Sequence, residues 1–437
     1  MSNKQEAALS PNERALAHNR NFEKQIMQIA DDLYVAIGYA ASNVAMLIGD
    51  DGVIIIDTTE STGAAENVWA EFRKISALPV DTIIYTHSHR DHISGASVFA
   101  GPDTRVIAAD NFSSDLVSAA QTHPTPVKGL INRTKRQFGI PLAEGTERIN
   151  IGLGPADRPI NGLGQGFIAP TERLAGDSNT LTICGHKLEI FKAPGETPDH
   201  LNIWMADRKT LFCGDNFYHA FPNLYAIRGT PYRDFDAWAD TLDKLAARNA
   251  EILVTGHTMP VIGAADIHLR LTTYSAAISA VIEQAVAGID AGIGFAQIAA
   301  AASLPDELMH YDWLGEYYGK FSQAVHAYCV GELGWFDGNP TNLGAIDDLT
   351  AAQQLATLAG GVDGLRTALT QAEIDADHGF VLRLTDALHC LESGASDDVL
   401  MPLRSAALRA LADLEFNAPM HNYYLTAAKE LDNGVWV

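Results

Sequence analysis

Six consecutive residues, His87-Ser88-His89-Arg90-Asp91-His92, concentrate more chemistry than any other stretch of the chain. Three imidazoles and a carboxylate in so short a loop cannot converge on one point. Alternation along the backbone lets His87 and His89 face one metal ion while Asp91 and His92 face a second beside it. Imidazole suits zinc, and carboxylate ligands are common next to it. The run follows Asp81-Thr82-Ile83-Ile84-Tyr85-Thr86, which reads as a buried strand, so the donors stand at a strand end, where sites of α/β proteins lie.

The elements that must hold such a loop fall into two textures. From about 33 to 260, short β runs are broken by Gly, Pro and Asp: Leu33–Ile37, Val44–Ile48, Val53–Asp57, Arg105–Ala108, Leu181–Ile183, Lys187–Ile190, Leu201–Met205, Thr210–Phe212 and Ile252–Val254. Gly49-Asp50-Asp51-Gly52 reads as the hairpin between two of them. Helical patterns near 63–75, 111–121 and 234–248 alternate with the strands, so an α/β fold of two sheets sandwiched between helices is expected. Residues 132–175, rich in glycine and poor in periodic apolar positions, read as a lid or dimer arm near the site. Beyond 262 an alanine- and leucine-rich helical periodicity takes over, at 264–289, 294–302, 314–331, 347–359, 363–376, 379–393 and 397–415.

A chain of 437 residues is too long for one core, so two domains are expected, 1–262 and an all-helical 263–437. The formal net charge of −24 argues against nucleic acid and anionic membranes as partners, and an anionic substrate would need a local cationic pocket. Cys184, Cys213, Cys329 and Cys390 match no zinc or redox spacing. The first residues show no apolar signal region, and no apolar run approaches the roughly 20 residues of a membrane span. A reduced, cytoplasmic protein is the simplest reading.

The His-x-His-x-Asp-His run resembles the signature of the metallo-β-lactamase superfamily, which implies an αββα sandwich whose remaining ligands come from later strand ends. Pro194-Gly195-Glu196-Thr197-Pro198-Asp199-His200 resembles the Pro-Gly-His-Thr-x-Gly-His stretch of that fold, with Glu196 in the place of the ligand His. Cys213-Gly214-Asp215-Asn216 offers Asp215, and Thr255-Gly256-His257 offers His257. The implied set is His87, His89 and Glu196 on one Zn2+, Asp91, His92 and His257 on a second, and Asp215 bridging both. Each later residue has an ordinary alternative, Glu196 as a turn residue and Asp215 as a helix cap, and His200 competes with Glu196 as the nearer histidine.

The Glu196 replacement narrows the resemblance to the alkylsulfatases of that superfamily. Further likenesses are Gly38-Tyr39-Ala40, Gly152-Leu153-Gly154, Asn223-Leu224-Tyr225, Arg228-Gly229, Tyr317-Tyr318-Gly319, the Leu333–Pro340 run and Tyr423–Leu431. They imply hydrolysis of alkyl sulfate esters by a metal-activated water, with Asp91 and Asp215 in the catalytic centre, and a homodimer joined through the helical half. The chain departs from the family pattern in the shorter bridging Asp215, in Thr258 and Met259 where a His and an aromatic are usual, and in Pro222 where a His is common. It also ends where a sterol-carrier-like domain would begin, from which a preference for shorter esters over dodecyl sulfate is expected. A sulfate ester is an anion suited to guanidinium donors. Arg228 is the first choice, Arg233 the second, with Asn223 as an amide donor and Tyr225 and His219 on the same segment. Another hydrolase of the same fold, acting on phosphodiesters, lactones or thioesters, is the alternative.

Overall fold

The apolar runs between Gln25 and Leu174 form one sheet in a computed structural model that describes residues 9–114, 127–344, 346–395 and 397–437. Its strands lie in chain order: β1 (Gln25–Ala30), β2 (Leu33–Ile37), β3 (Val44–Ile48), β4 (Val53–Ile56), β5 (Val80–Ile84), β6 (Arg105–Ala109) and β7 (Glu172–Leu174). β1 to β4 pair antiparallel and β4 to β7 parallel. The expected hairpin closes β3 on β4, with Gly49 N donating to Gly52 O at 2.9 Å. A second sheet holds β8 (Ser178–Ile183), β9 (His186–Lys192), β10 (Leu201–Met205), β11 (Thr210–Gly214), β12 (Ile252–Thr255) and β13 (Val261–Ile262), again neighbours in that order. There β11 and β12 run parallel and the other pairs antiparallel.

The period of two decides which side chain goes where. Ile54, Ile56, Ile84 and Ile107 pack between the sheets against Leu188, Ile190, Ile203 and Phe212. Their neighbours Val53, Ile55, Ile83 and Val106 point outward, beneath Val68 and Phe72 of helix Thr62–Ile75. Strands covered on both faces read as unbroken apolar runs, which is why β4 is Val-Ile-Ile-Ile. Across the second sheet, Leu211 and Cys213 are covered by Trp238, Leu242 and Leu245 of helix Phe235–Ala246. The layers are therefore helix, sheet, sheet, helix, the metallo-β-lactamase sandwich.

The second half of the chain is mostly helical. Its first helix, Ala264–Asp290, does not start a separate core: Ile267, Leu271 and Ile278 join the cluster beneath helix Phe235–Ala246, together with Phe321 and Val325. A distinct core lies among the helices Asp348–Ala359, Val362–Ile374, His378–Glu392 and Asp397–Asp413.

One helix expectation fails in part, and another lies mostly outside the described residues. The one at 111–121 is absent over 111–114, and 115–121 lies outside the described residues. The one at 314–331 begins only at Phe321. Gly319 presses so closely on Pro222 that a Cβ there would lie 2.1 Å from the Pro222 oxygen, and Phe221 N donates to Gly315 O at 2.7 Å. Residues 315–319 are thus a docked loop. Helices Pro11–His18, Val127–Gln137 and Ala418–Asp432 lie outside the helical patterns read from the sequence. The first carries a legible signal, a Ser10/Glu13 capping box with Pro11 in the first turn.

The glycine-rich stretch packs on the chain's own body. Ile151, Leu153 and Ala156 are buried, as are Arg148 and Arg158. Ser61 ties the stretch to helix Thr62–Ile75: its Oγ accepts from Ala64 N at 3.1 Å and donates to Pro159 O at 2.7 Å. Ser61→Ala removes this N-cap and should cost about 1 kcal/mol, measured as a shifted denaturation midpoint. An unchanged midpoint would show that the cap contributes nothing.

Candidate metal centre

Parallel pairing of β4 with β5 brings two chain ends side by side. Asp57, just past β4 with φ 60°, accepts from Thr86 N and Thr86 Oγ1, both at 2.8 Å, and lies 2.8 Å from His92 Nδ1. His87 Nδ1 is 3.0 Å from Thr86 Oγ1, whose proton already goes to Asp57, so the ring donates there. His257 Nδ1 donates to Ala41 O at 2.7 Å. With Nδ1 donating in all three rings, each Nε2 is turned in a fixed direction, His87 Nε2 to within 3.0 Å of His89 Nδ1 and His257 Nε2 to within 3.2 Å of Asp215 Oδ2. Asp57 is a residue that the motif-based reading missed.

These nitrogens meet carboxylates in two adjoining groups. His87, His89, Glu196 and Asp215 bring one donor atom each within 4.8 Å of one another, and so do Asp91, His92 and His257. Asp215 Oδ2 sits between the groups, 3.5 Å from His87 Nε2 and 3.2 Å from both His92 Nε2 and His257 Nε2. Asp91 Oδ2 is 3.5 Å from His92 Nε2 and 3.3 Å from His257 Nε2. Two glycines make room. A Cβ on Gly256 would lie 2.3 Å from Asp215 Oδ1, and one on Gly214 2.6 Å from the His200 ring.

The donors fit divalent cations. Glu196 Oε2, Asp215 Oδ1 and His92 Nε2 are buried with no hydrogen-bond partner, a costly state unless something else satisfies them. The electrostatics point the same way. Burial pushes the Glu196 carboxyl upward in spite of Arg233. Burial also opposes charge on His257, yet Asp215 and Asp91 outweigh it and lift that imidazole to about 10. The carboxylates favour positive charge in the pocket, which a divalent ion held by nitrogen and oxygen ligands of this type would supply. His89 differs: burial, then the charges of Arg233 and Arg228, hold it down at about 3, in the neutral form a ligand needs.

The flanking residues divide by what they touch. Arg233, buried, gives Nη1 to Glu196 Oε1 at 2.5 Å and also to the Asn223 carbonyl, a placement that favours bracing Glu196 over the substrate contact expected for it. Asn223 is buried beside it, its N–H donating to Tyr218 Oη at 2.8 Å. Arg228 and Tyr225 are half-buried on the same segment. His219 points elsewhere, with Nδ1 3.2 Å from Arg270 Nη1 and Nε2 3.3 Å from Asp312 Oδ2. His200 accepts the Asp215 N–H at Nε2, 3.1 Å away, and stacks on His87, so it supports the donors from behind.

Family models match this chain in two parts: the metallo-β-lactamase superfamily over residues 38–102 and 125–257, and alkyl sulfatase dimerisation over 295–434. A linear primary-alkylsulfatase of Pseudomonas sp. is 31% identical over 396 residues, 89% of this chain and 73% of that protein. An (R)-specific secondary-alkylsulfatase of Pseudomonas sp. is 28% identical, covering 94% of this chain and 63% of the relative. An alkyl/aryl-sulfatase of Saccharomyces cerevisiae is 29% identical, covering 94% and 64%. The chain thus spans less than two thirds of these last two relatives. Among solved structures, a stereoselective inverting sec-alkylsulfatase from Pseudomonas sp. superposes with a TM-score of 0.87 at 25% identity, over 97% of this chain and 68% of that one. Sandwich, helical half and relatives agree: this chain belongs to the alkylsulfatase family of the metallo-β-lactamase superfamily, the sulfuric ester hydrolases of that fold.

Proposed function

We propose that the protein hydrolyses alkyl sulfate esters to an alcohol and inorganic sulfate at a centre holding two Zn2+ ions. The observation that carries this is the pair of adjoining donor groups sharing Asp215, with buried lone pairs that no protein hydrogen satisfies. His87, His89 and Glu196 would hold one ion, Asp91, His92 and His257 the other, and Asp215 both. Bound there, the ions supply Lewis acidity toward the ester and toward water.

The protein's own groups do the rest. Arg233 occupies Glu196 Oε1 and leaves Oε2 free as a donor. Asp91 and Asp215 hold acceptor oxygens where an attacking water must be oriented, and they take its proton's hydrogen bond. Arg228, whose charge is felt at His89, supplies the guanidinium for the sulfate oxygens, with Asn223 and Tyr225 on the same segment. In a protein of net charge −24, this local pair of arginines is what draws an anion inward. One water is consumed: its hydroxyl goes to one product and its proton to the other as the ester bond breaks.

A panel of sulfate, phosphate and carboxylate esters on zinc-loaded protein tests the reading. Sulfate-ester turnover should dominate, with about two metal ions per chain by elemental analysis. Preferential hydrolysis of a phosphodiester or lactone would overturn it.

The same reading includes a homodimer joined through the helical half. Trp335 is 72% exposed, and Leu333, Leu343, Ile346 and Leu349 are exposed around it, within the segment that matches the dimerisation model. So much apolar surface on one short stretch marks a contact. Sedimentation at micromolar concentration should give twice the chain mass; a monomer would defeat this part of the proposal.

A further inference from the structure

The glycine-rich stretch contributes no donor to either group, yet it reaches the second group through hydrogen bonds in series. Arg158 donates Nε–H to Glu60 Oε1 at 2.6 Å, and both side chains are buried. Glu60 Oε1 also accepts the Ala41 N–H at 3.0 Å, and the Ala41 carbonyl accepts His257 Nδ1–H at 2.7 Å. Ala41 belongs to the loop between β2 and β3, which clamps both sides of that group. Ser42 Oγ donates to the Asp91 carbonyl. Asn43 N donates to Gly256 O at 2.7 Å, and its side-chain amide to Thr255 O at 3.0 Å and Thr258 O at 2.7 Å. Gly154 closes the back of the loop, since a Cβ there would lie 2.9 Å from Ala41 O.

We propose that Glu60 is a positioning residue for His257. Anchored by Arg158, it holds Ala41 so that the Ala41 carbonyl turns the His257 ring and aims Nε2 at the second metal position. Arg158 is there to neutralise a carboxylate that burial would otherwise make costly. What His257 requires is the acceptor oxygen of Glu60, not its charge. The glycine-rich stretch therefore serves the metal centre from behind. Partners of this indirect kind typically change metal affinity 10–100-fold.

The inference rests on the binuclear reading above, and the test separates the two. Stepwise zinc affinities are measured by competition with a chromophoric chelator, on whole protein whose cooperative unfolding is checked without metal. Glu60→Leu/Arg158→Met removes the acceptor but keeps an apolar filling. It should weaken one ion about tenfold or more and leave the other unchanged. Glu60→Gln/Arg158→Met keeps an acceptor for Ala41 and should restore wild-type affinity. Should the Leu/Met variant fail to fold, Gly154→Ala displaces Ala41 with the ion pair intact, and the same selective weakening is expected. Wild-type affinities in the Leu/Met variant (or, where it does not fold, in Gly154→Ala), equal weakening of both ions, or no rescue by Gln would overturn the role of Glu60. Wild-type protein binding a single ion would overturn the binuclear reading, and this inference with it.

Discussion

Asp215→Ala is expected to abolish turnover and to lower metal occupancy at both positions together. Asp215 Oδ2 stands 3.2 Å from His92 Nε2 and His257 Nε2 and 3.5 Å from His87 Nε2, so one carboxylate serves both donor groups. Partners that merely orient a ligand change affinity 10–100-fold, so loss of a shared ligand should exceed about a hundredfold. Its removal also leaves buried imidazoles without the negative charge that, against burial, raises His92 and His257. One negative charge fewer among the donors also weakens their attraction for a dication. Metal content after dialysis and kcat on a sulfate ester are the two measurements. Retention of two ions with measurable turnover would show that Asp215 is not the bridge. Loss of only one ion would assign it to a single position.

How much of this centre the sequence discloses depends on how far apart its parts lie. Four donors in one six-residue loop are legible, because local spacing alone brings them together. Glu196, Asp215 and His257 sit on three separate strand ends, and only resemblance to a known arrangement gathers them. Asp57 carried no local signal beyond its place at the end of β4. Its meaning comes from parallel pairing with β5, which sets it against Thr86. A guanidinium suits sulfate, so sequence alone makes Arg233 a candidate substrate contact; that it faces Glu196 depends on how two distant loops pack. The helix expected at 314–331 shows the reverse failure. Its apolar periodicity runs on through Gly315 and Gly319, yet those glycines mark close docking against Phe221 and Pro222. The sheets were the most legible part, since strands buried on both faces leave unbroken apolar runs that punctuation by Gly and Asp delimits.

Arg228→Ala should lower kcat/KM by about thirtyfold or more, with metal content unchanged, because a desolvated charge-assisted contact is worth about 2–5 kcal/mol. The side chain is well placed for such a contact. Its segment rests on helix Val127–Gln137: Gln137 Oε1 accepts Arg228 N–H at 2.8 Å, and Arg133 Nη2 donates to Ile227 O at 2.7 Å. Within the segment, Arg228 Nη1 donates to Gly229 O at 3.1 Å, so the backbone itself aims the guanidinium. Arg228→Lys keeps the charge but loses the planar fork and should fall between alanine and wild type. Arg233→Ala supplies the contrast. Unpairing Glu196 should reduce metal content as well as rate, since Arg233 Nη1 holds Oε1 at 2.5 Å. Both arginines carry one positive charge, so the two variants change net charge equally, and a difference between them cannot be long-range attraction. If Arg228→Ala leaves kcat/KM intact while Arg233→Ala lowers it without metal loss, the two roles assigned here are exchanged. If Arg228→Ala loses metal, its effect on rate no longer speaks to sulfate recognition, and the substrate contact must be sought elsewhere on the segment.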